Sequence, residues 1–358
     1  MSSFVSDLAE RTQVWLGHRL ARAPDLVVEH LTARRPMSIA GQRLEPRTQH
    51  ALLLVSRSGR PPLEQLPVAR ARREYTRFPL VFEDPPLPLP HIEDQALEGP
   101  EGPIPIRIYH PRHPPRHPSP SHGRLPVLVY YHGGGGVVGS IETHDGLCRL
   151  IARQLRALVV SVEYRLGPEH PFPAAPEDAW AAYRGLLDRI DRLEGDPTRV
   201  AVGGDSMGGC LAAVVCQRAR DEAGPMPRAQ WLIYPATDRA THRPSQSLFG
   251  EGLLLTEPMM QWFSDLYLGE ADRHDPRASP LHHPNLTGLP PAVVVTAGFD
   301  PLRDEGQAYA EALAAAGVPV RHRCHEGLVH GFAQMTGAVP AARRAMMDAM
   351  AQLQALLD

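Results

Sequence analysis

A serine stands between two glycines in residues 204–208, which read Gly-Asp-Ser-Met-Gly. An apolar run precedes this segment and a helical pattern, LAAVVCQRA, follows it, so Ser206 is predicted to lie on a sharp strand-to-helix turn. Such a turn pushes its central residue toward positive φ and leaves little room for neighbouring side chains. The hydroxyl would then be exposed as a nucleophile for acyl transfer, although a GxSxG pattern also arises by chance.

Four glycines follow His132 at the end of an apolar run, LPVLVYYH, that covers residues 125–132. A backbone without side chains can bend sharply there and present several N–H groups inward. Donors arranged in this way stabilise the oxyanion of acyl transfer, and a His-Gly-Gly-Gly loop often has this role. A phosphate-binding loop is the alternative, but it needs GxxxxGK[ST] or GxGxxG leading into a helix. The chain continues instead as GVVGSIETHDG.

Two further residues have the types that would complete a nucleophile–base–acid set with Ser206. Asp300 follows the apolar run PAVVVTAGF, and His330 follows the run VRHRCHEGLV. Both are predicted just beyond the C-terminal end of a strand, where the loops of an α/β sheet converge on one cleft. The order serine, aspartate, histidine is that of α/β hydrolases. Taken singly, Asp300 or Asp304 could cap the helix that begins near Pro301, and His330 could be a surface histidine, one of eighteen.

The elements that must position these residues alternate between strand and helix. Six short apolar runs rich in valine and isoleucine are typical of strands buried on both faces. They cover residues 125–132, 157–164, 199–204, 229–235, 291–298 and 320–326. Two earlier segments, 91–97 and 104–110, alternate apolar and polar residues as antiparallel strands do. The pattern predicts an α/β fold with a parallel sheet and right-handed crossovers.

The remaining segments lack this alternation. The N-terminal region reads as short helices separated by prolines, with one packed helix predicted near 47–57. PPLPLP at 85–90 reads as an extended linker and is the best candidate for a boundary. After the fourth run, TEPMMQWFSDLYLG predicts a helix with Thr256 as its N-cap. We expect this second irregular region to be an insertion over the end of the sheet.

With these motifs in place, the chain resembles the hormone-sensitive-lipase-like family of esterases, also called bacterial family IV, in the α/β-hydrolase superfamily. Seven motifs occur in the family's order between about residue 44 and the C-terminus. They are HGGGG at 132–136, SVEYRLGPEHPFPAAPEDA at 161–179, GDSMGG at 204–209, GLLLTEPMMQWF at 252–263, DPRASPLH at 275–282, TAGFDPLRDEG at 296–306 and EGLVHGF at 326–332.

The resemblance implies an α/β-hydrolase fold, an eight-stranded and mostly parallel sheet flanked by helices, with a helical cap. The catalytic domain would consist of residues 86–235 and 286–358. The cap would combine the N-terminal extension and its helices at 1–85 with an insertion at 236–285. Residues 1–43 precede the part that resembles the family, so they could extend the cap or contact another subunit.

The resemblance also implies a serine carboxylesterase that acts on a small-molecule ester with a short to medium acyl chain. Ser206 would be the nucleophile, His330 the general base and Asp300 the acid that orients it. The oxyanion donors would be the backbone N–H groups of Gly134, Gly135 and Met207. Neither a metal nor an organic cofactor is expected.

Several apolar side chains of the predicted insertion helix could line an acyl pocket: Met259, Met260, Trp262, Phe263 and Tyr267. They could equally form the ordinary apolar face with which a cap helix packs. Met207 and Cys210 stand where the family more often has alanine and asparagine, which places the substrate range in question.

A non-catalytic small-molecule-binding module is the main rival interpretation. Some relatives of this fold, such as the plant gibberellin receptor, keep the pocket but lose the histidine of the triad. His330 is present here, which favours an enzyme. Amidase, lactonase and acyltransferase activities use the same three residue types, so the sequence leaves them open.

Composition limits the partners. The net charge is −3 and the pI is near 6.7, which argues against nucleic-acid binding. No apolar stretch is long enough to span a membrane, and charged residues near the N-terminus predict no signal peptide, so a cytoplasmic setting is expected. The four cysteines form no CxxC pair, and the irregular spacing of the Pro- and His-rich stretch at 111–123 predicts a solvated loop. A homodimer is expected from the resemblance alone.

Overall fold

The computed structural model describes residues 2–113 and 123–358, with side chains from residue 11 onward. Most of the proline- and histidine-rich stretch, residues 114–122, therefore lies outside the described residues. Within the described ranges the helices are α1 (Ser2–Ala21), α2 (Asp25–Ala33), α3 (Pro46–Ser56), α4 (Val68–Tyr75), α5 (Arg77–Phe82), α6 (Asp145–Leu155), α7 (Ala174–Leu187), α8 (Met207–Asp221), α9 (Pro244–Phe249), α10 (Glu257–Tyr267), α11 (Arg303–Ala315) and α12 (Pro340–Leu357).

The strands form a small hairpin and one large sheet. They are β1 (Ser38–Ile39), β2 (Gln42–Arg43), β3 (His91–Gly99), β4 (Gly102–His110), β5 (Leu125–Tyr131), β6 (Leu158–Val162), β7 (Gly195–Asp205), β8 (Ala229–Ile233), β9 (Ala292–Phe299) and β10 (Val320–Val329). β1 and β2 pair with each other. The eight others form the sheet in the order β3-β4-β6-β5-β7-β8-β9-β10.

The pairing within this sheet is parallel from β6 to β10 and antiparallel where β4 meets β3 and β6. Each of the six apolar runs overlaps one of the strands β5–β10, and the two alternating segments are β3 and β4. The predicted α/β-hydrolase fold, with an eight-stranded and mostly parallel sheet, is therefore confirmed.

Helices cover both faces of the sheet, so the central strands have no polar face. Along β5, Val127, Val129 and Tyr131 pack into one core with residues of α7, α8 and α11. Leu128 and Tyr130 point the other way, into a second core with residues of α6 and α12. A strand buried on both sides must be apolar at every position, which explains the continuous runs in the sequence.

The irregular segments also take the predicted local structure. α3 falls on the segment predicted as a packed helix, and residues 83–90 connect α5 to β3 without regular structure. α9 and α10 lie between β8 and β9. Thr256 is the N-cap of α10, where its hydroxyl accepts a hydrogen bond from the N–H of Met259.

The four cysteines are unpaired, and three of them, Cys148, Cys210 and Cys216, are buried. Cys210 and Cys216 lie on α8 inside the core, as their apolar surroundings in the sequence predict. Among the helices that the structure describes, none is long and apolar enough to cross a bilayer.

Candidate active site

Ser206 occupies the turn between β7 and α8. Its φ of 56° and ψ of −115° lie in a region that L-residues rarely adopt, so the turn holds the backbone under strain. Only glycine fits at the two flanking positions, because any Cβ there would clash with the backbone of β5. A Cβ at Gly204 would lie 2.3 Å from the carbonyl oxygen of Tyr131, and a Cβ at Gly208 would lie 1.8 Å from the same atom.

Ser206, His330 and Asp300 form one chain of hydrogen bonds. The Nε2 atom of His330 lies 2.9 Å from Oγ of Ser206, and its Nδ1 atom lies 2.8 Å from Oδ2 of Asp300. A carboxylate only accepts, so Nδ1 carries the proton and Nε2 is free to accept one from the serine hydroxyl. The tautomer that this arrangement selects is the one that a general base needs.

The sheet explains how residues so distant in sequence meet. Ser206 follows β7, Asp300 follows β9 and His330 follows β10, and these parallel strands end at the same edge of the sheet. Asp300 is buried, and its second oxygen accepts the N–H of Leu302 at 2.8 Å just before α11. The carboxylate therefore holds both the histidine and the backbone at Leu302, the N-cap residue of α11, but it does not itself cap the helix.

The glycine run after β5 lies beside Ser206. Gly134 and Gly135 have φ values of 119° and 66°, which turn the backbone back on itself. In the described part of the chain, the N–H groups of Gly134, Gly135 and Met207 donate no hydrogen bond to a protein acceptor. Met207 is the first residue of α8, whose N-terminus adds a partial positive charge at the same place. Negative charge that develops next to Ser206 would therefore be stabilised.

Asp205 ties the glycine run to the serine turn. Its Oδ1 atom accepts the N–H of Gly133 at 3.0 Å and the hydroxyl of Tyr130 at 2.8 Å, and it lies 3.2 Å from Nε2 of His144. Burial opposes its ionisation, but His144 and the hydrogen bonds prevail and hold its pKa below the usual value. No sequence pattern pairs Asp205 with His144, because only the folded chain brings them together.

His132 serves packing rather than proton transfer. Burial, followed by the nearby His144, lowers its pKa to about 3, so the ring is neutral. The ring stacks on Tyr164 with 4.3 Å between the ring centroids, and the hydroxyl of Tyr164 donates to the carbonyl oxygen of His132 at 2.7 Å. These contacts fix the start of the glycine run.

A cavity of about 1200 Å³ opens above Ser206 and His330. Its volume exceeds the several hundred Å³ that most ligand sites need. Met259 and Phe263 of α10 border it, as does Met260. The ring of Phe263 lies directly against the backbone of Gly135, where a Cβ would be 2.3 Å away from it.

Trp262 and Tyr267 are not among the residues that border this cavity, which favours the other role that the sequence leaves open for them, packing of the cap helix. Tyr267 is fully buried one turn beyond Phe263, where its ring packs against Gly136 and against Phe172, with 5.9 Å between the two ring centroids. Trp262 precedes Phe263 by one position, which on a helix turns its side chain about 100° away. The apolar pattern of α10 could not separate the residues that face the cavity from those that pack around it.

The N-terminal helices also reach the cavity. Leu16 and Leu20 of α1, together with Leu53 and Leu54 of α3, border it along with Ser206. Leu16 and Leu20 are spaced by one helical turn, which predicts an apolar helix face. This spacing does not predict which part of the protein that face contacts.

Comparisons with known proteins agree with this geometry. A family model described as the α/β hydrolase fold matches residues 128–334. The carboxylic ester hydrolase LipN of Mycobacterium tuberculosis is 44% identical over 335 residues, which cover 89% of this chain and 86% of that protein. Esterase LipI of the same organism is 46% identical over 268 residues, which cover 74% and 82%.

Among solved structures, an α/β hydrolase from the metagenome of Lake Arreo superposes with a TM-score of 0.82 at 42% identity, and the match covers 87% of this chain and 98% of that one. The fold, the motif order and these relatives lead to one assignment. The chain belongs to the hormone-sensitive-lipase-like family of the α/β-hydrolase superfamily.

Proposed function

We propose that this carboxylic ester hydrolase cleaves its substrates through Ser206 as nucleophile, with His330 as general base and Asp300 as the residue that orients it. The observation that carries the proposal is the unbroken chain of contacts, 2.9 Å from serine to histidine and 2.8 Å from histidine to aspartate. The relatives LipN and LipI, named as an ester hydrolase and an esterase, support the reaction class.

In the first half of the reaction, His330 accepts the hydroxyl proton while Oγ of Ser206 attacks the ester carbonyl. Asp300 keeps the imidazole in the required tautomer and stabilises the imidazolium that forms. The tetrahedral intermediate then collapses, the bond to the leaving alcohol breaks, and His330 gives the alcohol its proton. An acyl-enzyme on Ser206 remains.

In the second half, His330 takes a proton from water, and the hydroxyl attacks the acyl carbonyl. Collapse of the second intermediate releases the carboxylic acid and returns the proton to Ser206. Every proton transfer in both halves takes place between Nε2 of His330 and an oxygen atom, that of the serine, the alcohol or the water. A single histidine therefore serves both halves.

The backbone N–H groups of Gly134, Gly135 and Met207 are the proposed oxyanion donors. All three lack acceptors in the described residues, as donors reserved for a transient charge should. Because they belong to the rigid backbone, they need no reorganisation when the charge develops.

Replacing Gly134 with alanine tests this assignment. A Cβ there would lie 2.1 Å from the carbonyl oxygen of Val138, at a φ of 119° that alanine does not favour, so the loop must shift. We expect kcat for ester hydrolysis to fall about 10²- to 10³-fold, the loss typical of a misplaced oxyanion donor. Gly317→Ala is the matched control, because its φ is 81° and it has open space around it. A folded Gly134→Ala enzyme that keeps the wild-type kcat would refute the donor assignment.

The proposed substrates are small-molecule esters with short to medium acyl chains. The ring of Phe263 lies against Gly135, and Met207 also borders the cavity, so the space beside the reacting carbonyl is confined. In a series of p-nitrophenyl esters from two to sixteen acyl carbons, kcat/KM should be greatest for the short or medium chains. A maximum at sixteen carbons would overturn this substrate range.

We also propose that residues 1–85 and 236–285 form a cap over the catalytic domain, which consists of 86–235 and 286–358. Residues of α1, α3 and α10 border the same cavity as Ser206, which supports this division. A cytoplasmic location is proposed because the unpaired cysteines suit a reducing compartment.

Homodimerisation is a proposal from the family resemblance, and light scattering of the purified protein tests it.

A further inference from the structure

Arg239 borders the active-site cavity, and none of its side-chain atoms forms an ion pair with a carboxylate of the described residues. It lies in the loop after β8, partly buried, and borders the cavity together with Ser206. Its Nη2 atom is 3.1 Å from the sulfur of Met207, and the guanidinium lies 5.3 Å from the ring centroid of Tyr267. Its Nε–H is buried and has no acceptor in the described residues.

Two carboxyl groups close to Arg239, those of Asp238 and Glu305, already accept hydrogen bonds from other groups. Asp238 accepts from Arg243 at 2.8 Å and lies 2.7 Å from Nε2 of His282. Glu305 accepts the N–H groups of Thr237 and Asp238, and burial raises its pKa to about 8, although these hydrogen bonds and the charge of Arg239 oppose that rise. Neither group forms an ion pair with Arg239.

Two other partly buried arginines, in contrast, each have a carboxylate partner. Arg243 is paired with Asp238, and Arg165 forms two hydrogen bonds with Asp178. A guanidinium has five donors in a planar fork, and removing it from water costs free energy unless an anion compensates. An unpaired guanidinium that borders a ligand cavity is therefore suited to a planar anion supplied by the ligand.

We infer that Arg239 binds a carboxylate of the substrate, so that this enzyme hydrolyses esters that carry a carboxylate group close to the scissile bond. The inference rests on the proposed function. The carboxylate is expected close to the scissile bond because Arg239 contacts the side chain of Met207, the residue next to the nucleophile. The carboxylate can belong to the acyl part or to the alcohol part of the ester, and the experiment separates these two cases.

Two pairs of esters, each with a charged member and a neutral member of the same shape, provide the test. Monoethyl succinate and ethyl 4-methylpentanoate differ at the end of the acyl chain. Acetoxyacetate and isobutyl acetate differ at the end of the alcohol. For each pair, the ratio of kcat/KM for the charged ester to kcat/KM for the neutral ester is measured by titrating the acid released at pH 7.

In the wild type we expect the charged ester to be hydrolysed at least as well as its neutral counterpart in one of the pairs. Arg239→Met should lower that ratio about tenfold or more while kcat/KM for the neutral ester changes little, because only the charge-assisted contact is lost. Arg239→Lys should restore part of the ratio, since lysine keeps the charge but lacks the planar fork. Arg273→Met removes an exposed arginine at the margin of the same cavity and should leave the ratio unchanged.

The outcomes separate three accounts. If Arg239 only supports Met207 and Tyr267, Arg239→Met lowers the charged and neutral rates together, and the inference is wrong. If the wild type discriminates against the charged ester in both pairs, the inference is wrong even without any variant. If no ester of either kind is hydrolysed, the proposed function itself fails, because neutral esters are substrates whether or not Arg239 binds a carboxylate.

Discussion

Ser206→Ala is expected to reduce kcat for ester hydrolysis by about 10⁵-fold or more, while the protein remains folded. Alanine removes the hydroxyl that Nε2 of His330 contacts, so no acyl-enzyme can form. It also fits the turn, since its Cβ occupies the position of the serine Cβ. Single-turnover and steady-state assays with a p-nitrophenyl ester measure the loss, and circular dichroism checks the fold.

Ser247→Ala is the matched control for this variant. Ser247 is exposed, and its hydroxyl forms a hydrogen bond with the imidazole of His242 at 2.8 Å, away from the proposed triad, so its loss should leave kcat unchanged. Turnover by purified Ser206→Ala within about a hundredfold of the wild type would mean that another group performs the attack.

Asp300→Asn should lower kcat by about 10⁴-fold, as loss of this carboxylate does in a Ser-His-Asp enzyme. The asparagine oxygen can still accept the N–H of Leu302, but its NH₂ group would then face Nδ1 of His330. The imidazole must respond by carrying its proton on Nε2, where it can no longer accept the hydroxyl proton of Ser206. The three residues would keep their positions, but His330 could no longer act as the general base.

Asp304→Asn controls for a change of charge four residues further along the chain, in the first turn of α11. Asp304 accepts the N–H of Ser245 at 2.8 Å and contacts Arg303, but it does not border the cavity. This variant should lose some stability and keep its kcat within about threefold. Equal kinetic losses in Asp300→Asn and Asp304→Asn would show that the aspartate acts on the fold and not on the imidazole.

The sequence predicted the residues at the strand ends because their signals are local. A strand buried on both faces must be apolar throughout, as β5 is, and a strained turn needs glycine where Gly204 and Gly208 lie against Tyr131. The strand and the turn that follows it together place Ser206 at the edge of the sheet where the parallel strands end. For this reason Asp300 and His330, each just past a strand, could be expected near Ser206 before any coordinates.

The features that the sequence did not predict depend on contacts between distant segments. Asp205 and His144 lie 61 positions apart, and neither belongs to a pattern that indicates a pair. Periodicity identified the apolar face of α10 but could not tell Phe263, which borders the cavity, from Tyr267, which packs beneath the glycine run. Arg239 shows the same limit: one arginine among many becomes distinctive only once the fold shows it partly buried beside the cavity, with an Nε–H that has no acceptor in the described residues.

Covalent labelling with a fluorophosphonate tests the central claim most directly, because the reagent requires a serine that a neighbouring base has activated. Peptide mass spectrometry of the labelled wild type should locate one adduct, on Ser206, and His330→Ala should react far more slowly. An adduct on a different residue, or no reaction under conditions in which the protein hydrolyses esters, would contradict the account.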